Sequence, residues 1–190
     1  MKNYLERKLK NLGLLNEDAQ KMSFIDICQK PIEVAYPCLL QDSTVAYCSL
    51  KSASDSTYRS YYKAEIKKSA QDDQAKVLRI ARELNTLSSG LPCTHTNSIF
   101  VRVDDVRSDV WKVLIFGAEG TPYSGGAFIF DVFMDSTFPN KPPLVTLATT
   151  GNGTVRFNPN LYANGKVCLS LLGTWKGNTE SENWNPDVST

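Results

Sequence analysis

The chain has 190 residues, 42% of them apolar and 22% charged, which suits one soluble globular domain with an appendage better than two full domains. Its formal net charge is +1, so no strong field draws it to nucleic acid or to an anionic membrane, and neither is expected as a partner. Residues 1–8 hold no apolar stretch of the kind a signal peptide needs, and no apolar run is long enough to span a bilayer.

Residues 1–75 are irregular in pattern. A short helix is predicted over residues 4–15, then a mixed stretch with Pro31 and Pro37. The Ser-rich run Ser52-Ala53-Ser54-Asp55-Ser56 reads as a linker, and residues 58–73 as a second helical stretch beginning with Tyr58, Tyr61 and Tyr62. No chemistry is assigned to this extension. From Gln74 the pattern sharpens: Val77, Leu78, Ile80, Ala81, Leu84 and Leu87 recur at helical spacing, with Lys76, Arg79 and Arg82 mostly off that stripe. Ser88-Ser89-Gly90 and then Pro92 stop the helix.

Four strands rich in β-branched and aromatic residues are predicted at 98–103, 111–116, 127–134 and 144–148. The connections between them carry Asp104-Asp105, a Gly-rich turn from Gly117 to Gly126, and Phe138-Pro139-Asn140-Lys141-Pro142-Pro143. They are too short for crossover helices, so an antiparallel meander is expected, with the helix against one face. The fold class is α+β. Asn152-Gly153-Thr154, formally a glycosylation acceptor, reads as a turn.

Five cysteines (Cys28, Cys38, Cys48, Cys93, Cys168) are an odd number at wide spacings, which reads as free thiols in a reducing compartment. There is no Cys-x-x-Cys pair and His95 is the only histidine, so neither a metal nor a cofactor is expected. A cysteine between Val167 and Leu169 is ordinarily a small buried hydrophobe. What sets Cys168 apart is the run before it, Val155-Arg156-Phe157-Asn158-Pro159-Asn160-Leu161-Tyr162-Ala163-Asn164-Gly165-Lys166-Val167-Cys168.

That run resembles the signature of the ubiquitin-conjugating (E2) family: a His-Pro-Asn tripeptide, a Tyr, an Asn-Gly turn, then Ile/Val-Cys-Leu. Asn158-Pro159-Asn160 stands in the tripeptide slot, and Cys168 follows Asn160 at the family's spacing. Gly120-Thr121-Pro122-Tyr123, Phe138-Pro139…Pro142-Pro143 and Trp184-Asn185-Pro186 match other landmarks in order. The stretch Leu172-Gly173-Thr174-Trp175-Lys176-Gly177-Asn178 narrows the similarity to the large E2 class, which includes a giant hybrid of the apoptosis-inhibitor family.

The resemblance implies a UBC-like fold over residues 76–190, with residues 1–75 an extension and the fold's C-terminal helices absent from this chain. It implies an apolar sheet face left uncovered, ubiquitin, an E1 activating enzyme and an E3 ligase as partners, and a cytoplasmic or nuclear location. Cys168 would carry ubiquitin as a thioester, a role that suits a soft nucleophile which is a few per cent thiolate at neutral pH. Asn160 would donate an amide N–H to the oxyanion when a lysine attacks. Asn158 and Pro159 would shape the loop; the family usually has His in the place of Asn158. Ser170 stands where many members carry an acidic residue. Lys76, Arg79 and Arg82 would meet E1. Phe138, Pro139, Asn140, Trp184, Asn185 and Pro186 would face E3, although Asn140 replaces a bulky apolar residue.

Two other functions compete. One is an E2-like scaffold that binds ubiquitin without chemistry because the domain is cut short. The other is a thiol protease pairing Cys168 with His95, for which no oxyanion-hole Gly motif is visible.

Overall fold

The computed structural model describes residues 44–48, 60–69, 73–94, 96–176, 179, 182–187 and 189. The predicted helix at 4–15, the serine linker, Cys28, Cys38 and His95 lie outside them.

Among the described residues the elements in chain order are strand β1 (Val45–Cys48), helix α1 (Lys63–Lys68), helix α2 (Gln74–Gly90), strands β2 (Ile99–Asp104), β3 (Val110–Phe116), β4 (Ala127–Phe133) and β5 (Leu144–Leu147), and a 3-10 turn (Gly151–Gly153). The sheet order is β1-β2-β3-β4-β5. From β2 to β5 it is the expected antiparallel meander. The addition is β1, which pairs parallel with β2 at Val45↔Val101 through Cys48↔Asp104 and widens the four-stranded sheet to five.

α2 begins where Asp73 caps it, its carboxylate accepting the N–H groups of Ala75 at 2.9 Å and Lys76 at 3.4 Å. It ends at Gly90, as Ser88-Ser89-Gly90 anticipates. Ile80 and Leu84 pack on Val101, Val103, Trp111 and Val132 of the sheet, joined by Met134 and Phe138, with Leu87 at the margin. The expected stripe is therefore only half right. Val77, Leu78 and Ala81 are exposed, while Lys76 takes the inward position one turn before Ile80.

The pleat sends alternate residues to opposite faces. Beyond α2 the helix-bearing face continues as an open apolar groove of about 650 Å³, lined by Val113, Ile115, Phe130, Val145 and Val167 among others. On the other face Tyr62, just before α1, meets Val110 and Phe133, with Ile66 packed alongside. The Tyr62 hydroxyl bonds Thr146 at 2.5 Å. Burial pushes that hydroxyl above its ordinary pKa, although the Thr146 bond acts the other way.

A buried ionic group ties helix to sheet. Lys76 Nζ donates to Asp109 Oδ2 at 2.7 Å, and Arg107 forks onto the same carboxylate, Nε to Oδ1 at 2.9 Å and Nη2 to Oδ2 at 2.7 Å. Arg107 also donates to the Ile66 and Ser69 carbonyls at the end of α1.

Candidate functional site

Asn164 and Gly165 make a tight turn after β5 that fixes the cysteine segment. Gly165 has φ +87°, and a Cβ there would lie 2.6 Å from the Leu147 carbonyl oxygen, so no other residue fits without displacement. Leu147 N–H donates to Gly165 O at 2.9 Å, and Lys166 bridges Thr146, which clips residues 165 and 166 to the outer edge of β5.

The Asn158-Pro159-Asn160 turn closes against this segment. Leu161 bridges Val167, and Cys168 N–H donates to Asn160 O at 2.9 Å. The two residues implicated by the resemblance are thus joined through the backbone across the seven intervening positions. Asn158 shapes the turn from within: its Oδ1 accepts the N–H groups of Asn160 at 2.7 Å and Leu161 at 2.8 Å. Its Nδ2 donates to the Tyr123 hydroxyl at 3.0 Å. An asparagine can therefore do the loop-holding work here without a histidine, and the Gly-rich landmark turn supplies the partner.

After the cysteine the chain folds back. The Thr174 hydroxyl donates to Val167 O at 2.7 Å and accepts Leu169 N–H at 2.9 Å, so one side chain brackets both neighbours of Cys168. The turn itself is exposed at Leu169, Leu171 and Trp175, whereas Cys168 is only 3% exposed. Asn160 is exposed. Cys93, also a free cysteine, is buried too, and burial pushes its thiol pKa up.

The surfaces assigned to partners come out differently from expectation. Lys76 is 1% exposed and bound to Asp109, so it is withdrawn from the face expected to meet E1. A charged residue near a helix start ordinarily points to water; here a carboxylate distant in sequence takes it inward. Arg79 is half-buried, bonded to Glu83 and to the Pro186 and Ser189 carbonyls. Arg82 remains exposed.

The two loops expected to face E3 do lie together. The Trp184 indole N–H donates to Pro139 O at 2.6 Å, and the ring lies 5.8 Å from that of Phe138. Phe138, however, is a core residue and offers no surface; Asn140 and Asn185 are exposed, and Pro139, Trp184 and Pro186 are partly so. No group of three or more potential metal ligands occurs among the described residues. No helix among them is long and apolar enough to cross a membrane.

Tyr123, Arg156 and Thr174 are contributors that sequence reasoning left without a role. Each stood inside a quoted motif, but nothing in the motif says which backbone groups its side chain reaches.

The fold and site define an α+β domain that sets one cysteine beside an asparagine-bearing turn. The family model described as ubiquitin-conjugating enzyme matches residues 79–190, more than half of the chain, and the chain belongs to that family of E2 transferases. It is 49% identical over 131 residues to the dual E2 ubiquitin-conjugating enzyme/E3 ubiquitin-protein ligase BIRC6 of Homo sapiens, covering 68% of this chain and 3% of that protein. To probable ubiquitin-conjugating enzyme protein 17 of Caenorhabditis elegans it is 53% identical over 111 residues, 58% of this chain and 15% of that one. A solved structure, the ubiquitin conjugating enzyme E2 from Plasmodium falciparum, is 26% identical with TM-score 0.47, covering 59% of this chain and 85% of that chain. The chain thus spans a small part of the curated relatives' length, and its kinship with large E2 proteins agrees with the sequence motifs.

Proposed function

We propose that the chain accepts ubiquitin from an E1 activating enzyme as a thioester on Cys168 and passes it to a substrate lysine or to an E3 ligase cysteine. The observation that carries this reading is the Cys168 N–H to Asn160 O bond, which holds the thiol segment against the turn. In the first step the Cys168 sulfur attacks the E1 thioester carbonyl, and the C–S bond to E1 breaks as the one to Cys168 forms. In the second, a lysine amine attacks the new thioester. The Asn160 carboxamide N–H donates to the oxyanion, the Cys168 thiolate leaves, and the amine proton passes to solvent. Ser170 is no base, so the lysine must lose its proton to water or to a group on a partner.

Cys168 is buried, so its sulfur is reached only through a local movement, which the Thr174 hydroxyl resists by tying both of its neighbours. Arg82 is the cation left to meet E1, and Asn140, Trp184 and Asn185 are the groups offered to an E3. Such partners belong to the cytoplasm or nucleus.

The near-complete burial of Cys168 favours a second reading, a ubiquitin-binding scaffold without chemistry. Incubation with E1, ATP and ubiquitin separates the two. A reductant-labile adduct, abolished in Cys168→Ala and reductant-stable in Cys168→Ser, supports the transferase. No adduct alongside measurable ubiquitin binding supports the scaffold. Substrate cleavage without E1 or ATP would instead revive the protease reading.

A further inference from the structure

The turn that carries Asn160 is held from its outer side by one guanidinium. Arg156 Nε donates to Asn158 O at 3.1 Å and Nη2 to Pro159 O at 2.7 Å. The same group lies over the Tyr162 ring, 4.2 Å from its centroid. Tyr162 N–H in turn donates at 3.0 Å to the carbonyl of Lys166, two residues before Cys168.

These contacts converge on the peptide between Pro159 and Asn160. Its carbonyl accepts from Arg156, and its N–H donates to Asn158 Oδ1 at 2.7 Å, so both ends of that peptide are fixed. On the far side, Asn160 O accepts from Cys168 N–H. The Asn160 backbone is pinned before and after its Cα, leaving chiefly the side-chain torsions to aim the carboxamide. Hydrogen bonds from a charged donor are stronger than neutral ones, and a guanidinium stacked on an aromatic face gains further attraction. A lysine would keep the charge but offers neither the rigid planar fork nor a plane to stack on Tyr162.

Resting on the transferase reading above, we propose that Arg156 is a positioning residue for the reaction. It holds the Pro159–Asn160 peptide, and through it the oxyanion-donating carboxamide, in register with Cys168. It makes no contact with the reacting atoms and changes no bond. Its work is to spare the transition state the cost of ordering this exposed turn.

The test uses the full 190-residue chain as wild type, Arg156→Ala, Arg156→Lys, Asn160→Ala and the Arg156→Ala/Asn160→Ala and Arg156→Lys/Asn160→Ala double variants. Each is charged with ubiquitin by E1 and ATP, and thioester discharge to free lysine is followed in single turnover over a range of lysine concentrations. The expected result is that Arg156→Ala charges to the wild-type extent but discharges about tenfold more slowly at saturating lysine, with the half-saturating concentration unchanged. Arg156→Lys, which loses the stack on Tyr162 and the fork but keeps the charge, should show a smaller loss of the same kind, and its discharge can be read should the alanine variant fold poorly. In the Asn160→Ala background either change should alter the rate less than about twofold, because a residue acting only through Asn160 has nothing left to position.

Wild-type discharge by Arg156→Ala or Arg156→Lys would overturn the proposal. So would an equal loss with and without Asn160, or a raised half-saturating concentration alone. If the wild type forms no thioester, the transferase reading itself fails and the proposal falls with it.

Discussion

Removing the Asp109 carboxylate should damage the ionic group beneath α2 more than removing the Lys76 ammonium, and the order of the two changes follows from charge counting. Lys76 and Asp109 are 1% and 2% exposed, and Arg107 is 7% exposed. Both cations therefore bond the Asp109 carboxylate away from water. Asp109→Asn keeps the shape but removes the carboxylate charge that Lys76 and Arg107 both bond, at a cost of about 3–5 kcal/mol. Lys76→Met leaves the Arg107–Asp109 fork intact and preserves the packing of the stem. It forfeits one charge-assisted hydrogen bond, about 1.5–3 kcal/mol. Chemical denaturation measures both as shifts of the midpoint at constant slope. The Asp109 carboxyl titrates below its ordinary range: burial alone would raise it, but the bonds and charges of Arg107 and Lys76 outweigh burial. A carboxyl depressed on folding contributes stability that is fully present above the unfolded value near 4 and is lost as pH falls through the lower folded value. Wild-type stability should therefore drop steeply below about pH 4, and Asp109→Asn should flatten that limb. Because Lys76 is withdrawn from the surface, Lys76→Met should leave ubiquitin charging per folded molecule unchanged. A Lys76→Met loss equal to that of Asp109→Asn, or selective loss of charging at wild-type stability, would refute this account.

Asn160→Ala should slow discharge of the thioester to lysine by about 10²–10³ while sparing its formation, read in single-turnover gels. Thr174→Val removes the hydroxyl that bonds both neighbours of Cys168. Maleimide labelling of Cys168 should then quicken about fivefold, the weight of roughly one net hydrogen bond, with labelling of Cys93 unchanged. Gly165→Ala should cost about 2 kcal/mol or more, seen as a lowered melting temperature, because it adds a Cβ against the Leu147 carbonyl at a positive φ.

Much of the sheet was legible because its signal is local. β2 to β5 fall within one residue of the predicted ends, since runs of β-branched and aromatic residues bounded by turn residues need no knowledge of the partner strand. β1 escaped notice because Val45–Cys48 is four residues long and its partner lies more than fifty positions downstream, with no hairpin turn to announce it. The inward face of α2 was misread for a similar reason: only Asp109 makes Lys76 an interior residue, and nothing near Lys76 in sequence reveals that. At the site, the resemblance pointed to Asn160 and Cys168, which a backbone hydrogen bond joins. What it left hidden were the side chains that grip backbone: Arg156, Thr174 and Tyr123. A carbonyl is the same in every residue, so the sequence carries no mark of which one a side chain will find.

The added parallel strand has a practical bearing on how the protein can be shortened. A version starting at residue 76, the point where the motifs begin, would strip β1 from the outer rim of the sheet. The N–H and C=O groups of Val101 to Asp104 that faced it would then be turned to water in a ready row. Bare rims of that kind recruit strands from other molecules. Such a trimmed protein should come off a sizing column in larger, concentration-dependent species, and restoring residues 44–75 should return it to a single small one.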